Sequence, residues 1–161
     1  DSYDSLFQNA GIETILSYPE LEADDCIAIT VEHITTTYPD AKVWVIASDM
    51  DYAQLSSERV NIITLKYTNI TDSKHLSGNA EKDLFCKIVS GDKSDNIPPI
   101  FPRCGAKTAA KYYDKPAEFE KKLAAVAGSR ELFERNKCIV SFKHIPEELV
   151  QGFRRVCLRL Q

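Results

Sequence analysis

Apolar positions follow two different rhythms along the chain, and the change falls near residue 72. Before it, "IETILSY" (12–18) gathers apolar and β-branched residues ahead of Pro19 and predicts a strand. "ELEADDCIAITVEHITTTY" (20–38) carries Cys26, Ile27, Val31 and Ile34 near helical spacing, which predicts a helix of about four to five turns ending before Pro39. "KVWVIAS" (42–48) is a continuous apolar run of the kind shown by a strand covered on both faces, so Trp44 is expected in the core. "RVNIITLKY" (59–67) reads as another strand, with a short helix between the two. This order predicts a parallel sheet with covering helices.

A short helix closed by Gly11 is expected at 2–11, ahead of these elements. After residue 72 no strand pattern survives. "NAEKDLFCKIVSG", "GAKTAAKYY", "PAEFEKKLAAVAG", "SRELFERNKCIVSF" and "PEELVQGFRRVCLRL" each fit an amphipathic helix with a start or stop signal. The fold class is therefore α/β: a parallel-sheet portion over 1–72, then an all-helical portion over 73–161, without repeats or a low-complexity linker.

Composition narrows the classes. With 43% hydrophobic residues, 161 residues can bury one real core and a small second one. No apolar run approaches the length that spans a bilayer, and "DSYDSLFQNAG" is acidic where a secretion signal would be basic. The expected location is intracellular, in nucleus or cytoplasm, with no membrane partner. Five cysteines at 26, 86, 104, 138 and 157 form no C-x-x-C pair, and His33, His75 and His144 have no ligand spacing. Reduced thiols are expected.

The net charge of −4 hides an asymmetry. Residues 1–95 hold 17 Asp and Glu against 7 Lys and Arg, a balance of −10; residues 96–161 hold 7 against 13, a balance of +6. An acidic site joined to a basic surface suits a polyanion gripped by one part and worked on by the other, although two solvated faces would give the same totals.

The acids themselves are clustered. Glu22, Asp24 and Asp25 fall in the first turn of the predicted long helix, Asp49 and Asp51 directly follow a buried strand, and Asp92 and Asp95 follow a later helix. Helix N-termini favour acids for capping alone, and loops after strands are often acidic. Parallel sheets, however, bind ligands beyond the carboxyl ends of their strands, so the first two clusters are expected to face one crevice. Like charges held together raise each other's pKa and cost stability unless a cation lies among them. Oxygen-only donors select hard ions such as Mg2+ or Mn2+, and two such ions support hydrolysis of a phosphodiester.

"LEADDCIA", "ASDMDYAQL" and "SGDKSDNIPPIFPRCGAKTAAKYY" together resemble, in order and spacing, three motifs of the flap endonuclease and 5'-3' exonuclease superfamily. The resemblance runs from residue 5 onward, and the wording of the third motif is similar to versions from large DNA viruses and phages, which would place the protein in a viral factory. It implies a PIN-like (resolvase-like) catalytic portion followed by a helix-three-turn-helix portion that binds duplex DNA. The implied function is a structure-specific 5' nuclease acting in replication, repair or recombination, on double-stranded DNA with a 5' end or flap. Glu22, Asp24, Asp25, Asp49 and Asp51 are implied as ligands of two Mg2+ or Mn2+ ions. Asp92 and Asp95 lie in the stretch that supplies the last acid, and Asp95 fits that place better. The same resemblance implies phosphate contacts from Arg103, Gly105, Lys107, Thr108 and Lys111, and a K+ ion at the 98–105 hairpin.

The chain departs from the family in two respects. The hairpin keeps only Gly105 and carries Pro98, Pro99 and Pro102. Members of the family also begin with a buried strand ending in a metal-binding aspartate and continue through an arch; Asp1 and Asp4 follow no apolar strand and are not assigned that role. The chain thus reads as a fragment: either a companion chain or an N-terminal piece completes its sheet, or the piece is unusually tolerant of the missing strand. Two alternatives stand beside the nuclease reading. One is a non-catalytic duplex-binding fragment. The other follows from "VWVIASDMD", which also resembles the haloacid dehalogenase type of phosphatase, although Ala53 occupies the place of that family's threonine or valine and "EADD" is left without a role. Tyr112 and Tyr113 are expected to pack in part, and Arg154, Arg155 and Arg159 to form a solvated face with a supporting phosphate contact.

Overall fold

Val43–Ile46 (β1) and Val60–Ile63 (β2) pair in parallel, Val43 opposite Val60 and Ile46 opposite Ile63. They are the whole sheet among the residues described by this computed structural model, which are 2–158 for the backbone and 5–158 for the side chains. Asp1 and Arg159, and the side chain of Asp4, lie outside the described residues. Ala23–Thr37 (α2) follows the short Ser2–Asn9 (α1) and covers one face of the sheet. Val31, Val45, Tyr52, Ala53, Val60, Ile62 and Ile70 form the core between them.

The sequence pattern misleads at two points here. Residues 12–18 form no strand. A strand exists only where a neighbour accepts its ladder of hydrogen bonds; here Leu16 and Tyr18 instead pack against the last helix. The run 42–48 is covered on one face only. Val45 is buried, while Trp44 is 58% and Ile46 70% exposed. An apolar run shows that a strand can be buried, but coverage comes from elements elsewhere in the chain.

Five helices follow: Ala80–Ser90 (α3), Ala106–Asp114 (α4), Pro116–Ala125 (α5), Ser129–Val140 (α6) and Glu147–Cys157 (α7). Their limits carry the expected chemistry, since the Asn79 side chain caps α3, Gly91 ends it at φ 70°, and Pro116 opens α5. Val89, Ile100, Phe101, Cys104, Ala109, Phe119 and Leu123 form the helical core. Phe119 meets the rings of Phe85 and Phe133 edge-on, with centroids 4.9 and 5.3 Å apart. Both Tyr112 and Tyr113 pack, on Phe101 and Phe85 respectively.

Several contacts among the described residues join the parts. Cys26 and Ile29 of α2 share a cluster with Val150 and Phe153 of α7, and Arg154 reaches Glu32 at 3.0 Å. Gln54 Nε2 donates to the Val140 carbonyl at 3.0 Å, fastening the segment after β1 to the end of α6.

The turn between α3 and α4 is fixed from within. Asp92 and Ile97 exchange backbone hydrogen bonds of 2.9 and 2.7 Å. A Cβ at Gly91 would collide with the Ile97 carbonyl and the Pro98 backbone, so the position requires glycine for space as well as for its positive φ. Asn136, fully buried on α6, donates through Nδ2 to the carbonyls of Ile88 (3.0 Å) and Pro98 (2.8 Å). Asn136→Ala would orphan both carbonyls. We expect it to lower unfolding free energy by about 2 kcal/mol or more in urea denaturation, and a loss under about 0.5 kcal/mol would contradict this role.

Candidate functional site

β1 and β2 are parallel, so their carboxyl ends open on the same side, and the first cluster of acids after β1 begins there. The Ala47 N–H still bonds to Ile63, and three residues later the chain enters a 3-10 helix at Met50–Leu55. Asp49 caps that turn, its Oδ1 accepting from the Asp51 N–H at 2.9 Å. The Asp49 side chain itself stays exposed, whereas Asp51 is turned inward with a side chain only 21% exposed.

The α2 acids show both of the roles that the sequence left open. Asp25 Oδ2 accepts from the Glu22 N–H at 3.1 Å and Asp24 Oδ1 from the Asp25 N–H at 3.0 Å, which is ordinary helix-start chemistry. The same residues also line a cleft of about 200 Å³ with Asp51. Glu20, which the sequence reading passed over, is a further wall of this cleft. Its roof is the end of α6 with Ser141, Phe142 and His144. Burial raises the pKa of Asp25 from its ordinary value, the hydrogen bond from Glu22 opposes this, and the charge of Asp24 adds to it.

Asp51 is also the link to the third cluster. Its two oxygens meet Lys87 Nζ, with Oδ2 at 2.7 Å. Lys87 lies in the last turn of α3, where a cation is favoured by the helix dipole. Gly91 then reverses the chain so that Asp92 Oδ2 returns to the same ammonium at 2.9 Å, with Asp95 Oδ2 further out at 3.7 Å. Burial raises the pKa of Asp51 despite Lys87, and the charges of Asp49 and Asp95 push it the same way. Asp92 behaves oppositely. Hydrogen bonds from the Ser94 hydroxyl and from Lys87 hold it well below the usual carboxylate range. Burial pulls Lys87 down, but Asp51 and Asp92 outweigh it and raise its pKa. Burial raises the pKa of Tyr52, and the charges of Asp24, Asp49 and Asp51 push it the same way.

Glu22, Asp24, Asp25 and Asp51 thus share a cleft, while Asp51, Asp92 and Asp95 surround Lys87. Asp49 stands outside both groups and acts on them through its charge. The remaining candidates form a separate surface. Gly105 is the N-cap of α4, Lys107, Thr108 and Lys111 are exposed on the helix, and exposed Arg103 sits in the left-handed region (φ 58°) just before.

No protein-family profile matches the chain. Among curated proteins, Ribonuclease H of Enterobacteria phage T4 is 26% identical over 159 residues, covering 86% of this chain and 48% of that protein. A 5'-3' exonuclease of Buchnera aphidicola is 30% identical over 119 residues, covering 71% of this chain and 40% of the other. The chain therefore spans about half the length of the curated relatives it matches. A variant of T5 5'-exonuclease has the same fold, with a TM-score of 0.74 at 20% identity over 96% of this chain and 73% of its own. Bacteriophage T5 flap endonuclease, solved with DNA and metal ions, gives 0.73 at 19% over 96% and 65%. The curated relatives support the flap endonuclease and 5'-3' exonuclease superfamily, and the solved structures show that the fold is shared.

A superfamily member solved with divalent metal, T5 5'-exonuclease with zinc, raises the question of fit here. The donors suit a hard cation, being carboxylate oxygens of which Asp25 and Asp51 are shifted upward by burial. Their arrangement is open, since among the described residues no three His, Cys, Asp or Glu side chains close into a ready metal cage. Lys87 supplies the positive charge instead. It escaped the sequence reading because a lysine on an amphipathic helix looks like surface; its signal was its place one turn before Gly91 and Asp92.

The linkage of Asp92 has a definite sign. Its folded pKa is depressed, so its contribution to stability is present above the unfolded value of about 4 and is lost as pH falls below it. Asp92→Asn should therefore destabilise the chain at pH 7, and the gap from wild type should narrow below about pH 4. Thermal unfolding against pH checks this, and a gap that widens in acid would contradict it.

Proposed function

We propose that the chain is the greater part of the catalytic and duplex-binding machinery of a structure-specific 5' nuclease that hydrolyses DNA phosphodiesters. The proposed boundary lies near residue 72, with an acidic portion for chemistry before it and a helical helix-three-turn-helix portion for grip after it. The observation that carries it is the position of Asp51, which borders the cleft of the α2 acids and, through Lys87, meets Asp92.

Glu22, Asp24, Asp25, Asp51 and Asp92 would hold divalent cations, Mg2+ or Mn2+, with Asp49 and Asp95 adding charge from the margin. Two such ions, when bound, supply Lewis-acid stabilisation of the phosphate and activate water. The chain's own contribution is placement. The 3-10 turn aims Asp51 into the cleft, and the hydrogen bond to Asp49 holds that turn. Phe142 and His144 line the facing side of the cleft.

Grip is assigned to the start of α4. Its first N–H groups, with Lys107, Thr108, Lys111 and Arg103, offer phosphate-binding donors that carry no base readout, so recognition is of duplex shape. A K+ ion proposed at the 98–105 turn would draw on carbonyls other than those of Pro98 and Phe101, which already accept from Asn136 and Cys104.

The test is cleavage of a labelled 5'-flap duplex. We expect cutting that needs a divalent cation and stops with chelator, and a fall on the order of 10²-fold or more for Asp51→Asn, with duplex affinity changed far less. Duplex binding without cutting under any divalent cation would support a non-catalytic binding role instead. Lys107→Ala should weaken binding to all duplex sequences alike and reduce the slope of log affinity against log salt by about 0.9. A sequence-dependent loss would contradict the phosphate contact.

A further inference from the structure

Among the described residues, Lys87 is the cation seated among the acids of the proposed site. Its ammonium meets both oxygens of Asp51, Oδ2 of Asp92 and, more distantly, Oδ2 of Asp95. Asp92 is further engaged, since Oδ1 accepts from the Ser94 N–H at 2.8 Å and from the Ser94 hydroxyl. The acids bound by Lys87 come from two parts of the chain, the segment after β1 and the turn after α3. A cation placed there neutralises the repulsion that would otherwise drive these segments apart.

The same placement sets Lys87 against any incoming ion. A divalent cation that takes oxygens of Asp51 or Asp92 competes for lone pairs already directed at Nζ, and it would bring its own charge close to the ammonium. Lysine suits an exchange, because it is a compact charge on a flexible stem with three rotatable donors. It also has somewhere to go. A cleft of about 230 Å³ opens beside it, lined by Met50, His75, Leu76, Ser90 and Ala106.

We propose that Lys87 is a tethered counter-cation which a divalent ion must displace from Asp51 and Asp92, so that ion binding at this site is an exchange. The inference rests on the proposed cation site and adds a residue that tunes its affinity. Lys87 is thereby a positioning residue: it holds the carboxylates in register before the ion arrives and sets how much cation is needed to occupy them.

Two measurements test it, neither of which reads catalysis. Calorimetric titration of the chain with Mn2+ should show Lys87→Met binding about tenfold or more tightly than wild type. On wild-type protein, acetylation by an N-hydroxysuccinimide ester, followed by mass spectrometry, should be slow at Lys87 without metal. It should rise about fivefold or more with saturating Mn2+, as expected for an ion pair opened by a competing ligand, while exposed Lys121 stays unchanged. The labelling needs no variant, so it decides the matter even if Lys87→Met fails to fold. Equal or weaker Mn2+ binding by the variant, or labelling of Lys87 that does not rise, would overturn the exchange while leaving the cation site intact. Absence of Mn2+ binding in both proteins would instead remove the site itself, and the exchange with it.

Discussion

Carboxylates gathered at a half-buried cleft repel unless a cation lies among them, and Lys87 meets that constraint here. Asp51 is its focus. Burial and the neighbouring charges of Asp49 and Asp95 disfavour its ionised form, while Lys87 favours it. The contact between them is also mechanical, because it ties the 3-10 helix that follows β1 to the last turn of α3. Gln54 bonding to Val140, and α7 packing on α2, close the same seam at other points. The acidic and helical portions are therefore held in register by groups that belong to, or border, the site they create.

The helical portion shows how a short irregular segment can be made definite. The turn between α3 and α4 carries three prolines, which cannot donate from the backbone. Its order comes from a single reciprocal bridge between Asp92 and Ile97, from close packing at Gly91, and from one buried amide, Asn136, reaching in from α6. These interactions set where α4 begins and hence where Lys107, Thr108 and Lys111 are presented. They also set where Asp92 returns to Lys87. One turn thus positions both the basic surface and one edge of the acidic site.

Much of this was legible in the residues. Helix limits were marked by Asn79, Gly91 and Pro116, whose conformational needs are local, and the grouping of acids on one side followed from parallel strands and chain order. What was not legible depended on partners remote in sequence. Residues 12–18 have strand-like composition but no hydrogen-bonding neighbour, and Trp44 lies in an apolar run yet is 58% exposed because only one face of β1 is covered. Glu20 opens the run 20–38 that predicts a helix, and nothing in that position marks it as a wall of the cleft. Lys87 and Asn136 looked like ordinary positions on amphipathic helices, and only the fold brings the first to Asp51, 36 residues away, and the second to Ile88, 48 away.

On the proposed function, acids from α2, from the segment after β1 and from the turn after α3 serve one cation site. The decisive experiment is anomalous diffraction from a crystal of the chain soaked in Mn2+. A peak is expected bonded to Asp51 and shared with an α2 acid or with Asp92. Mn2+ bound elsewhere, with Asp51 contacting no ion, would contradict it.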